Sequence, residues 1–134
     1  MIVTNCLTPL AQRLGGKYTE HAKSLGCVVG GRLVAGTTYD EYNGRSMQMS
    51  IWVESRPTAE WSRAIFTYPF DDVGVHKLIG LIFGDNAKSI RLAERSGFVL
   101  EATLKDVTLH GDLLMYTMTR DQCRVLNADK WCRK

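Results

Sequence analysis

The sequence predicts an α/β fold of the α+β kind, a mixed, twisted sheet with helices on both faces. Three observations carry that prediction. Residues 75–83 (VHKLIGLIF) are apolar at nearly every position, the pattern of a strand buried on both faces. They run through Gly84 and Asp85 into residues 86–98, a compact helix marked at both ends. Residues 32–54 form two extended runs about Asn43-Gly44, a strong hairpin signal because a type I′ turn needs two positive φ angles.

The elements follow in order. Leu10, Leu14, Tyr18 and Ala22 recur at helical spacing and predict a helix over residues 9–25, weakened at Gly15-Gly16 and ended by Gly26. Residues 27–29 are a first short strand, and residues 32–42 a second. The return strand, residues 46–54, alternates: Met47, Met49, Ile51 and Val53 on one side, Gln48, Ser50, Trp52 and Glu54 on the other. Pro57 opens a helix to about residue 68, with Trp61, Ile65 and Phe66 on its buried side and Pro69 closing it. After the apolar strand, Asn86 is a good N-cap, since its side-chain oxygen can accept from a first-turn N–H. Gly97 is the expected left-handed stop, and Phe98 can fold back on the last turn. Strands near residues 98–104 and 113–118 follow, then a tail over residues 121–134 that starts as a short helix and ends basic.

With 134 residues, one domain spanning residues 1–134 is expected, its core at about residues 26–120. The net charge of +3 admits an anionic ligand, but no basic run or aromatic–basic interleaving points to nucleic acid. Cys6, Cys27, Cys123 and Cys132 form no C-x-x-C pair, so metal is not expected and the thiols read as reduced. No basic start with an apolar run resembles a leader, and no segment has the length of a membrane span. The expected location is the cytoplasm.

A strand feeding a capped helix through Gly84-Asp85-Asn86 places backbone N–H groups at the strand's carboxyl end, a natural seat for a phosphate, a carbonyl or a thioester. The pattern Asn86-x-x-Ser89, then Gly97-Phe98, then Glu101, resembles the GNAT acyl-CoA N-acetyltransferases, in particular the ribosomal-protein (RimJ/RimL-like) branch. Trp61-Ser-Arg with Phe66-Thr-Tyr-Pro-Phe70, and Asp112-Leu-Leu-Met-Tyr116 with Arg120-Asp-Gln-Cys123, look like short phage- and prophage-type members. The resemblance covers residues 30–126, most specifically 61–123, and the element order is that of the GNAT fold. Residues 1–8 are the only candidate for that family's first strand.

What the resemblance implies is an acetyl-CoA-dependent transfer of an acetyl group to a primary amine, on a protein or peptide N-terminus or a small amine. Acetyl-CoA is then the co-substrate, and the chain a monomer or homodimer. The chemistry needs a neutral amine, a donor to the carbonyl oxygen and a proton for the departing thiolate. By position, Ile51, Trp52 and Val53 supply the strand backbone that binds the arm and polarises the carbonyl. The family's glycine-rich pyrophosphate loop is replaced here by residues 55–63, where Arg56, Trp61, Ser62 and Arg63 stand as the binding residues. Without the glycines, charge and the helix N-terminus must substitute for close backbone approach. Asn86 and Ser89 match positions near the pantetheine and the sulfur. Many members carry a tyrosine where this chain has Ala93, which leaves Ser89, or water, as proton source. Lys88, Arg91 and Arg95 read as a solvated helix face, one of which can meet the 3′-phosphate.

A base is harder to place. The ribosomal enzymes carry a Glu where this chain has Thr108. Glu54 is the best alternative, with burial beside Trp52 raising its pKa, while Asp106 and His110 are further options. Glu101 serves the sheet edge. Asp40 and Tyr42 border the hairpin tip on the acceptor side and are the candidate substrate-binding residues. The competing reading is a non-catalytic module of the same fold that binds acyl-CoA or a host protein. Convergence of Arg56, Arg63, Asn86 and Ser89 on one cleft would favour a coenzyme site.

Overall fold

A computed structural model describes residues 1–14 and 18–128. Its seven strands form one mixed sheet in the order β1-β2-β3-β4-β5-β7-β6. These are β1 (Ile2–Val3), β2 (Lys23–Val29), β3 (Arg32–Asp40), β4 (Ser46–Val53), β5 (Lys77–Phe83), β6 (Val99–Thr108) and β7 (Gly111–Thr119). Three α-helices are placed among them: α1 (Leu7–Leu14), α2 (Ala59–Thr67) and α3 (Ala87–Ser96). All pairings are antiparallel except β4 with β5.

Helices cover both faces, as the alternation of β3 demonstrates. Gly36 faces α1, where a Cβ would lie 2.3 Å from Leu10 Cδ2, so only glycine admits that fully buried leucine. Tyr39, of opposite parity, faces α2 and donates its hydroxyl to the Ile65 carbonyl at 2.5 Å. Trp61, Ile65 and Phe66 are the buried stripe of α2, as their spacing predicts. Phe66 meets Phe98 at 6.5 Å between ring centres, joining α2 to the segment after α3 on the same face.

Several boundaries differ from those the sequence predicts. The helix over residues 9–25 is limited to Leu7–Leu14, with residues 15–17 outside those described, and β2 begins at Lys23. Gly26 is no helix stop: it lies mid-strand, where a Cβ would come within 3.0 Å of Leu33, Cys6 and Val3. The turn after β3 is not type I′, since Glu41 and Gly44 take positive φ and Asn43 does not. Asn43 instead holds the turn through Oδ1, accepting from the amides of Arg45 and Ser46. Pro69 does not close the helical run either. A π-helical turn, Tyr68–Val73, carries on from α2 to Gly74 at φ 84°, whose N–H donates to the Pro69 carbonyl.

The strand expected to be buried on both faces is open on one. Leu81 and Phe83 are each 41% exposed, because α1 packs against β3 and β4 and leaves that side of β5 uncovered. Gly97 ends α3 at φ 112°, as expected, and Phe98 is buried. Residues 1–8 supply the short β1, paired with β2. The tail opens as a 3₁₀ turn, Arg120–Gln122, and Cys132 and Trp131 lie outside the described residues. Cys6, Cys27 and Cys123 are buried free thiols, and burial pushes the Cys123 thiol up. Among the described residues, no helix is long and apolar enough to cross a membrane. No cluster of three or more His, Cys, Asp or Glu side chains is suited to a metal among them either.

Candidate active site

The site begins where two parallel strands part. Pairing between β4 and β5 covers only Ser46↔Lys77, Met47↔Leu78 and Gln48↔Ile79. Beyond it β5 stays with β7 as far as Phe83↔Leu113, while β4 stays with β3 as far as Val53↔Ala35. A wedge-shaped cleft opens between them. The direction of the β4 amides follows from two hydrogen bonds. Glu54 N–H donates to the Val34 carbonyl at 2.8 Å, so even-numbered amides of this strand turn to β3. The Val53 carbonyl instead accepts from Lys88 Nζ at 2.9 Å, so the odd-numbered groups turn to the cleft. Ile51 N–H therefore points into a gap where the β4–β5 ladder has ended, a donor free for a ligand carbonyl.

The cleft floor, about 230 Å³, is lined mainly by apolar groups of both strands, together with Ser50, Asn86, Ser89, Ala93, Phe98 and Tyr116. Asn86 caps α3 as predicted, its side chain accepting from Ser89 N–H at 3.2 Å, and Ser89 sits half-buried at the cleft wall. Tyr116 crosses from β7 and donates its hydroxyl to Glu94 of α3 at 2.9 Å. Burial, with the Glu94 acceptor added, pushes this phenol up and keeps it protonated. A contiguous mouth of about 500 Å³ is lined by Ile51, Trp52, Val53, Asn86 and Ser89 and by four cations, Arg13, Lys88, Arg91 and Arg95. Arg13 lies over the Trp52 ring, 4.7 Å from its centre.

Of the nine residues assigned to the co-substrate, the structure thus brings five together: Ile51, Trp52, Val53, Asn86 and Ser89. It does not bring Arg56, Trp61, Ser62 or Arg63 to either part of the cleft. Trp61 is 2% exposed, with its indole N–H on the Leu25 carbonyl, so it is a core residue. The Ser62 hydroxyl returns to the Thr58 carbonyl one turn back. Arg63 lies close enough to Asp71 to help lower its pKa. Glu54 is likewise away from the cleft. Its side chain is 51% exposed and 3.7 Å from Arg32, not buried beside Trp52. Glu54 lies just past the end of β4, and its carboxylate is turned to Arg32 of β3.

The other acid–base options are structural. The Asp106 N–H donates to Asp112, in the β6–β7 hairpin. His110 is at the rim, stacked on Phe83 at 4.5 Å and 3.2 Å from Asp85. Glu101 joins Lys77 and Thr117 across the sheet, as expected. Near the β3–β4 turn, Asp40 and Glu41 line a small cavity with Tyr18, Thr38, Gln48 and Ser50, and the cleft floor shares Tyr18 and Ser50 with it. Thr38 Oγ1 is buried there with no hydrogen-bond partner among the described residues. Burial opposes ionisation of Asp40, but hydrogen bonds from Thr19 and the Glu41 amide outweigh it and lower the pKa. Tyr42, 55% exposed, lines the adjoining groove with Asp40.

Arg13, Tyr18 and Tyr116 were not legible as site residues. A lone arginine in a two-turn helix carries no signal, and Tyr116 reads as ordinary strand alternation.

No protein-family model and no curated protein matches the sequence. Solved structures do. A single-site variant of spermidine N-acetyltransferase SpeG from Vibrio cholerae superposes with a TM-score of 0.65 at 19% identity, over 92% of this chain and 78% of that one. The Campylobacter jejuni N-acetyltransferase PseH, in complex with acetyl coenzyme A, gives 0.60 at 13%, over 84% and 77%. A probable acetyltransferase gives 0.65 at 19%, over 87% and 71%. The architecture of this chain is that of the GNAT N-acetyltransferases.

Proposed function

We propose that this chain is an acetyl-CoA-dependent N-acetyltransferase that transfers the acetyl group directly to a primary amine. One observation carries the reading: Ile51 N–H, released by the parting of β4 and β5, faces the capped start of α3 across an apolar cleft. Bound acetyl-CoA supplies the activated acetyl thioester. Ile51 N–H donates to the carbonyl oxygen as that oxygen gains charge. The apolar floor takes the pantetheine arm along β4. Ser89, in the first turn of α3, relays a proton from water to the leaving sulfur, taking one as it gives one. The amine enters past Ser50, and its proton leaves through water, since Glu54 is turned to Arg32.

The acceptor class is an amine that arrives as a cation, on a peptide N-terminus or a small molecule. Asp40 and Glu41 attract it, and Thr38 Oγ1, without a partner among the described residues, can accept one of its hydrogens. The motif order over residues 61–123 supports a RimJ/RimL-like, short phage-type member. The reading carries a cytoplasmic location and a monomer or homodimer.

Isothermal titration with acetyl-CoA, with desulfo-CoA as control, followed by thiol release in the presence of amines, tests it. Micromolar binding with amine-dependent release supports the enzyme. Binding without turnover favours the non-catalytic module, for which the glycine-free β4–α2 turn and Ala93 already argue. No heat at millimolar ligand ends both.

A further inference from the structure

The mouth of the cleft contains an arrangement that works against the stability of its own helix. Lys88, Arg91 and Arg95 recur at i, i+3 and i+7 along α3 and so form one stripe, where like charges repel. Lys88 also sits in the first turn, where the helix dipole disfavours a cation. Arg13 adds a fourth positive group from α1, over the Trp52 ring, and among the described residues no carboxylate lines this cavity. Among the described residues, none of the four cations forms an ion pair. A polyanion seated among them would offset each of these costs.

The neighbouring β4–α2 turn has no glycine over residues 55–63 to let its backbone approach a phosphate closely. Pro57 has no N–H, and Thr58 Oγ1 already takes the Trp61 N–H at 3.2 Å. Neither Arg56 nor Arg63 lines the cavity. The cationic mouth and the apolar floor share Leu14, Ile51, Asn86, Ser89 and Leu92, so one elongated ligand can occupy both.

We infer that the co-substrate's phosphates are held by side chains of α1 and α3, with Arg13, Arg91 and Arg95 as the principal contacts, and not by the β4–α2 turn. This rests on the acetyl-CoA reading and assigns the charged half of that site. Lys88 closes the rim by holding the Val53 carbonyl, which keeps β4 and α3 at a fixed separation.

The test is titration of CoA into the full chain and into two double variants, R91A/R95A and R56A/R63A, at several salt concentrations. The substituted side chains are exposed, and matched melting curves check folding. The expected result is a Kd at least tenfold higher for R91A/R95A, with a shallower salt dependence, and an unchanged Kd for R56A/R63A. Arg91→Lys with Arg95→Lys should recover most of the loss. Wild-type affinity in R91A/R95A, or a loss confined to R56A/R63A, overturns the inference while the acetyltransferase reading stands. An absence of CoA binding by the unaltered chain removes both.

Discussion

Two helices begin at the ends of the two strands that border the cleft, and they are used in opposite ways. Both follow a strand through a short turn and open on a side-chain cap, Thr58 for α2 and Asn86 for α3. The α2 stripe of Trp61, Ile65 and Phe66 goes into the core, and the run behind it extends through a π-helical turn tied down by Arg120 on Asp71 at 2.8 Å. Of the α3 residues only Ala93 is buried, and Lys88, Ser89, Arg91 and Arg95 line the cleft mouth. The same local grammar thus yields one structural helix and one binding helix. Capping establishes that a helix starts, and the neighbouring strands establish what its first turn meets.

Each prediction tests that division, starting with the largest effect. Trp61→Ala removes a fully buried indole and its bond to Leu25 and should destabilise the fold by about 3–5 kcal/mol. Denaturant unfolding measures this, and the protein that remains folded should bind acetyl-CoA normally. A specific loss of binding would make α2 a ligand helix after all. At the other end of α3, Gly97→Ala forces a side chain into the left-handed region and toward the Gln122 carbonyl, 2.0 Å from the new Cβ. A loss of roughly 1–3 kcal/mol is expected from the backbone alone, read from the same curves.

The two caps make the sharpest pair. Thr58→Ala and Asn86→Ala should each cost about 1 kcal/mol of stability. Only Asn86→Ala should also weaken acetyl-CoA binding in titration calorimetry, because only that cap lines the cleft. Equal effects on binding would abolish the distinction between the helices.

The smallest effect is electrostatic. The Arg120 hydrogen bond chiefly outweighs an opposing desolvation and, with the charges of Arg120 and Arg63 adding to it, holds Asp71 below the ordinary 3.8. A depressed folded pKa gives a contribution that is present above 3.8 and lost as pH falls through the lower folded value. Asp71→Asn should therefore lower the melting temperature slightly near pH 7, and the difference should vanish by about pH 2. Because the pair is exposed, salt should also reduce it.

Much of the fold was legible because its signals are local. The alternation of Met47, Met49, Ile51 and Val53, the buried spacing of α2 and the two ends of α3 each depend on contacts within a few residues. The cleft half contributed by α3 was legible for that reason, through Asn86 and Ser89. The half assigned to residues 55–63 was not, since a motif read by position cannot tell which side of a helix is covered. Gly26 misled in the same way: its lack of a side chain serves close packing against Leu33, Cys6 and Val3, contacts from outside its own segment.

By itself, then, the sequence determined most of the helices and strands after residue 26, where α3 starts and stops, and the α+β class. Tertiary structure alone decided that β4 and β5 part after Gln48 and Ile79, that Ile51 N–H is released there, and that Arg13 joins the α3 cations across the opening. The physical reason is range. Periodicity and capping act over a single turn or a pair of residues, whereas the parting of two strands depends on which neighbour each remains bonded to. One of those neighbours, β3, is the adjacent hairpin strand that the sequence predicts, whereas the other, β7, begins only at Gly111, well beyond β5 along the chain.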